Sequence, residues 1–251
     1  MTLNEIRARR DQLATEYVEH KNKQLYPSQI GQQFYCEQTL DLREKHGDVE
    51  TEEKTKGTEV HKKAAEDAVE VSDDELWEGI ESGDLQIIVE SGFVGDAAEF
   101  YLGGKPDAIV FENQKPQVVF DRKTSSRPSQ VYDNQRIQVW LYGFILDRLG
   151  FDTEDLRIGI LSHSRDLGLE RAKVLQQELL SDYPSFGVGD HKLDDNVFYH
   201  VFDYSRIEYL NELNWALGYW RDERPTEPTT NPAKCHRCEY LDVCSATPLH
   251  E

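Results

Sequence analysis

Two aspartates and a lysine are the residues of this 251-residue chain best placed to do chemistry. The stretch "PDAIVFENQKPQVVFDRK", Pro106 to Lys123, sets Asp107 and Asp121 at the ends of two apolar runs, where Val or Ile would pack better. If "KPDAIVF" and "QVVFDRK" form a hairpin around "ENQKP" with Phe111 opposite Gln117, opposed residue numbers sum to 228 and Asp107 lies across from Asp121. Directly opposed residues have Cβ atoms about 4.5 to 5.5 Å apart, and like charges there are destabilising. A divalent cation between them is the natural remedy. Strand alternation puts Lys123 on the Asp121 face and turns Arg122 to the other. Two carboxylates and an ammonium suit phosphodiester hydrolysis: Mg or Mn on oxygen ligands polarises the phosphate and activates water, and the lysine stabilises developing charge or orients the nucleophile.

A lone D-x-K is more often a solvated strand end than a site. Three features weigh against that reading: the hairpin opposes the pair, His61 stands on an upstream helix, and "QVWLY" sets Gln138 and Tyr142 one helical turn apart. Singly, His61 would be an ordinary surface or half-buried histidine, and Gln138 and Tyr142 would be helix surface and core. Together with the hairpin they read as one site.

Four cysteines form a second set. Cys235 and Cys238 make "CHRC", Cys244 follows, and Cys36 is far upstream. One upstream thiol and a C-x2-C-x5-C tail would clip the two ends of the chain together. Four thiolates hold either zinc or a 4Fe-4S cluster; a zinc site more often shows two C-x2-C knuckles, and the single one here leans toward iron-sulfur. The plainer alternative makes Cys36 a buried helix residue and gives the tail another ligand, such as His236.

The elements that must position these residues follow from periodicity. Leu3, Ile6, Leu13, Tyr17 and Val18 predict a first helix, and Ser28 is expected to cap a second that contains Cys36. "GDVETEEKTKG" reads as a loop and "TEVHKKAAEDAVEV" as a helix carrying His61 near its start. From Leu85 the period shortens: "LQIIVES", "AAEFYLGG", "PDAIVF" and "QVVFDRK" read as strands of one sheet. A long helix through "SQVYDNQRIQVWLYGFILDRLG" follows, then strand "LRIGILS", helix "DLGLERAKVLQQELLSDY", strand "NVFYHVF" and helix "SRIEYLNELNWALGYWRD". This order predicts an α/β or α+β fold with a mixed central sheet. The proline-bearing "ERPTEPTTNPAK" connects it to the cysteine tail. Residues 1–56 form an expected N-terminal helical region with one cluster cysteine, 57–222 the core and 223–251 the tail.

Composition constrains the partners. A hydrophobic fraction of 38% with 12 Tyr, 10 Phe and 4 Trp belongs to a globular protein rather than a disordered one. The net charge of −20 would argue against nucleic acid at ordinary salt. At molar ionic strength the screening length falls to about 3 Å, so diffuse charge no longer repels DNA while contacts within a site survive. The acidic surface with its single Met reads as halophilic adaptation. No stretch approaches about 18 apolar residues, so no membrane span is expected, and the amphipathic, charged start predicts a soluble cytoplasmic protein.

At "YPSQIGQQFYC", "GTEVH", "GGKPDAIVF", "VVFDRKTSS", "QVWLY" and "CHRCEYLDVC" the chain resembles the CRISPR-associated Cas-four nucleases, RecB-like members of the PD-(D/E)xK superfamily with an iron-sulfur cluster. The likeness covers nearly everything after the first helix, and finding Pro106-Asp107, Asp121-Arg122-Lys123 and the cysteines in order is more specific than any one alone. The resemblance implies a restriction-endonuclease-like PD-(D/E)xK core cutting single-stranded or end-resected DNA with Mn2+ or Mg2+. It implies His61, Asp107, Asp121 and Lys123 as the active site, with His61 and both aspartates on the metal and Gln138 and Tyr142 in support. Cys36, Cys235, Cys238 and Cys244 would hold the 4Fe-4S cluster, and trimming of prespacer ends beside the CRISPR integrase complex would be the role. The strong acidity departs from the family's usual balance and points to a halophilic archaeon or its virus. The competing expectation is a catalytically silent, viral or repair protein that keeps the cluster for shape and for DNA or partner binding; the intact His61, Asp107, Asp121 and Lys123 speak against it.

Overall fold

Secondary structure, packing and contacts come from a computed structural model, which describes residues 1–49, 72–89 and 91–250. His61 and the helix expected around it lie outside the described residues.

Helix α1 (Leu3–Glu19) starts from a capping box in which Thr2 and Glu5 satisfy each other's backbone N–H groups. A two-residue strand β1 (Gln24–Leu25) leads into α2 (Pro27–Cys36) and α3 (Gln38–His46). Ser28 does not cap α2. The helix begins one residue earlier, at Pro27, whose missing N–H costs nothing in the first turn, and the Gln29 side chain accepts from the Tyr26 N–H. Cys36 is its last residue. Helix α4 (Asp73–Ser82), not anticipated from periodicity, is capped by Ser72 and Glu75 and ends at Gly83 in the left-handed region.

The strands expected to form one sheet form two. β3 (Phe93–Ala97) and β4 (Phe100–Gly104) pair as a hairpin, and β1 adds parallel to β4, giving the order β1-β4-β3. β2 (Gln86–Val89), β5 (Ala108–Glu112), β6 (Lys115–Thr124), β7 (Arg157–His163), β8 (Gly189–Asp194) and β9 (Val197–Asp203) make a six-stranded sheet of order β2-β5-β6-β7-β9-β8. Within it β6 and β7 run parallel and every other pair antiparallel, so the sheet is mixed. The split falls at Lys105–Pro106, outside both strands. β8 also escaped the sequence reading: it is a polar edge strand, "GDHKLD", without an apolar face to announce it.

Both faces of the six-stranded sheet are covered. Ile109, Phe111, Val119, Ile158 and Ile160 pack into a core shared with α5 (Asp133–Leu149), α1, α2 and the smaller sheet. Ala108, Val110, Val118, Phe120, Leu161, Tyr199 and Val201 pack beneath α6 (Leu169–Ser181). Alternate residues of β5 and β6 are buried on opposite sides, which is why those strands read as continuous apolar runs. Helix α7 (Leu210–Trp220) closes the first core through Leu213, Ala216 and Leu217. The fold is therefore α/β, with mixed sheets and N-terminal helices consistent with a restriction-endonuclease-like arrangement.

Candidate active site

The hairpin that carries the aspartates turns at Asn113 and Gln114, both with positive φ, 53° and 63°. Its outer pairs are Ala108 with Phe120, Ile109 with Val119 and Val110 with Val118, each matching the expected sum of 228. Next to the turn the register slips: Phe111 pairs with Pro116 rather than Gln117, across an irregularity between Val110 and Phe111. The bulge lies between turn and site, so the half of the hairpin that leads to the aspartates keeps the expected alignment.

Asp121 lies two residues beyond Val119, and alternation turns it to the α5 face. Its side chain is 8% exposed. Lys123 Nζ forms an ion pair with Asp121 Oδ2 at 2.5 Å. Burial pushes the Asp121 carboxyl above its ordinary range; the Lys123 charge opposes this, and the charge of Asp107 adds to it. The Asp107 charge thus bears on Asp121, while the strand ladder itself ends at Ala108 with Phe120.

Helix α5 completes the arrangement. Lys123 Nζ donates to Gln138 Oε1 at 3.0 Å, and Gln138 Nε2 donates to the Tyr142 hydroxyl at 3.3 Å. Burial first, then the Asp121 charge, raises the Tyr142 hydroxyl far above its ordinary range, so it stays a neutral phenol. Glycines allow the approach. A Cβ on Gly31 of α2 would lie 2.8 Å from the Asn134 carbonyl oxygen, and one on Gly104 of β4 would lie 2.8 Å from the Tyr142 ring. Helix α2 and strand β4 thus press α5 against the site from behind.

Asp107 departs from the simple picture. It precedes β5, and its Oδ2 accepts from the Arg122 backbone N–H at 2.7 Å, so the carboxylate caps a β6 amide that β5 no longer reaches. The Arg122 guanidinium follows: Nε lies 3.4 Å from Oδ2 and Nη2 3.4 Å from Oδ1. Arg122 lies within β6, and its guanidinium meets Asp107 just outside β5. The sequence reading gave Arg122 no partner, because which carboxylate it meets depends on where the neighbouring strand stops. The structure thus brings Asp107, Asp121, Lys123, Gln138 and Tyr142 together, while His61 lies outside the described residues.

Among the described residues no group of three or more His, Cys, Asp or Glu side chains is arranged to hold one metal ion. The two aspartates still fit a hard cation: both are oxygen donors, and the buried Asp121 feels the Asp107 charge. Cys36, Cys235, Cys238 and Cys244 are all free thiols lining one pocket together with Tyr35, Thr39 and Leu241. Burial raises the Cys36 and Cys238 thiols. Thiols are soft-metal donors, but no three of these four are arranged to hold one ion.

Polar contacts fasten the segment that leads to the tail. Glu37, fully buried, receives Arg224 through Nη1 at 2.7 Å and Nη2 at 2.8 Å, Gln33 at 2.6 Å and the Glu227 N–H at 2.7 Å. Arg224 also lies over the Trp215 ring, 4.0 Å from its centroid.

A family model described as the PD-(D/E)XK nuclease superfamily matches residues 2–245. No curated protein matches the chain. Among solved structures the chain is similar to one titled "Crystal structure of SSO0001", at 14% identity and a TM-score of 0.46, with 94% of each chain covered.

Proposed function

Because the chain belongs to the PD-(D/E)XK nuclease superfamily, we propose that it is a divalent-metal-dependent deoxyribonuclease that processes DNA with single-stranded ends. The Asp121 carboxylate carries this reading. It is buried, pushed toward its neutral form by burial and by the Asp107 charge, and its Oδ2 faces the Lys123 ammonium at 2.5 Å. A buried carboxylate beside another costs stability unless cations compensate both.

Asp107 and Asp121 would hold Mn2+ or Mg2+, with His61 as a third ligand. When bound, the ion polarises the scissile phosphate and makes water acidic enough to attack near neutral pH. Lys123, held by Gln138 beside Asp121, presents its ammonium to the phosphoryl oxygen where negative charge builds. Gln138 fixes that ammonium, and the neutral Tyr142 hydroxyl accepts from the Gln138 amide and holds its orientation. The Arg122 N–H aims Asp107. End-labelled single- and double-stranded DNA, incubated with Mn2+ in molar KCl, should be cut by the native protein. Asp121→Ala should not cut it while keeping a native circular dichroism spectrum, and undiminished cleavage by that variant would refute the reading.

The four-thiol pocket is assigned, on the same reading, to a 4Fe-4S cluster tying α2 to the tail. Four cysteines on one pocket with a single C-x2-C knuckle support it. Protein purified without oxygen should be brown; a colourless protein with stoichiometric zinc would end the assignment. Prespacer trimming beside the CRISPR integrase, in a halophilic setting, rests on the order of the motifs and on the −20 charge. Co-purification of the integrase pair at high salt tests it against a viral or repair role.

A further inference from the structure

The site has two carboxylates and two cations of its own: Lys123 accompanies Asp121, and Arg122 accompanies Asp107. The two partnerships differ. Lys123 is directed onto α5 by Gln138, whereas the Arg122 guanidinium is directed onto Asp107, and its Nη1 is buried without a hydrogen-bond partner among the described residues. The Arg122 side chain is 10% exposed and that of Asp107 12%, so their charges meet in poorly screened surroundings. The guanidinium contacts are long, 3.4 Å each, while the backbone N–H holds Asp107 at 2.7 Å. The backbone therefore does the aiming, and the guanidinium supplies chiefly charge.

We propose that Arg122 is a resident counter-cation of Asp107 that competes with the divalent ion and so sets the metal affinity of the site. A guanidinium against one metal-binding carboxylate repels an incoming dication and occupies lone-pair directions that the ion would use. The same contact keeps Asp107 compensated when no ion is bound. Arg122 is thus a positioning residue that acts through Asp107. The inference rests on the metal-nuclease reading above, and its test separates the two.

Free Mn2+ measured by electron paramagnetic resonance gives the affinity of the full-length protein directly, without turnover. Arg122→Met and Arg122→Gln remove the charge and leave the backbone N–H in place; each is expected to bind Mn2+ roughly tenfold more tightly than the native protein, as loss of a nearby like charge predicts. Arg122→Lys restores a cation and should return the affinity toward the native value. Unchanged or weaker binding in the folded charge-removing variants would overturn the proposal, and so would a lysine variant that binds as tightly as the methionine one. Loss of the fold in both charge-removing variants would make Arg122 a structural residue and also overturn it. Asp121→Asn is the control: if it leaves Mn2+ binding intact, the metal site itself is misassigned, whatever the arginine variants do.

Discussion

Lys123 is held from two sides, by the Asp121 carboxylate and by the Gln138 amide oxygen, and a side chain with four rotatable carbons needs both to stay in one place. Removing the second hold should reduce turnover without weakening DNA binding, because Gln138 acts on the ammonium. Gln138→Ala is expected to lower kcat by about 10- to 100-fold, the usual cost of losing an outer-shell partner, with KM for DNA little changed. Steady-state kinetics on a labelled oligonucleotide check this, and a change confined to KM would place Gln138 on the DNA instead. The pairing of Lys123 with "QVWLY" was visible in the sequence as two clusters of plausible chemistry. The two read as one site, yet which atoms would meet was not legible, since nothing local relates a strand end to the face of the following helix.

Helices α2 and α5 meet where Gly31 leaves no room for a side chain. A methyl group there would meet the Asn134 carbonyl oxygen at 2.8 Å and the Gln138 Cβ at 3.4 Å, and a backbone atom cannot rotate away. Helix propensity alone would make Gly31→Ala stabilising by about 1 kcal/mol, whereas overpacking costs about 1 to 3 kcal/mol. A lower melting temperature in this variant, with reduced nuclease activity, is the expected result. An unchanged or higher melting temperature would mean that the helices part freely. The hairpin teaches a related lesson. Its strands and turn were legible from "VFENQKPQV", yet the bulge beside the turn was not, because register is decided by packing of both faces as well as by turn residues.

The Glu37–Arg224 pair joins the first helices to the segment that leads to the tail, and its consequences belong to the whole molecule. Burial would raise the Glu37 carboxyl, but Arg224, Gln33 and the Glu227 N–H outweigh it and hold it below the ordinary carboxylate range. The stability it supplies is therefore present above the unfolded carboxylate value of about 4.3 and is lost as pH falls through the lower folded value. Glu37→Gln should destabilise the protein by about 3 to 5 kcal/mol near neutral pH, since it leaves the arginine without its charge partner. Melting curves from pH 7 down to about pH 3 should show that difference shrinking; a constant gap would mean that the charge contributes nothing. Diffuse surface charge behaves differently from this buried pair. With −20 spread over the chain, raising KCl from about 0.1 M to about 1 M shortens the screening length from about 10 Å to about 3 Å and should raise the melting temperature by relieving self-repulsion. A fall would show that surface ion pairs, such as Lys115 with Asp152, matter more than the net charge.

By itself the sequence determined what repeats along the backbone: strands of period two, helices of period 3.6, and hence that Asp121 and Lys123 share a face and that the outer hairpin pairs sum to 228. Those relations need only the chain's own geometry. Only the tertiary structure decided which atoms of α5 that face would meet, that the predicted sheet would divide at Lys105–Pro106, and that Arg122 would find Asp107 beside β5. Each of these depends on residues distant in sequence that compete for the same buried space and the same unpaired backbone groups, and no local pattern records the outcome of that competition.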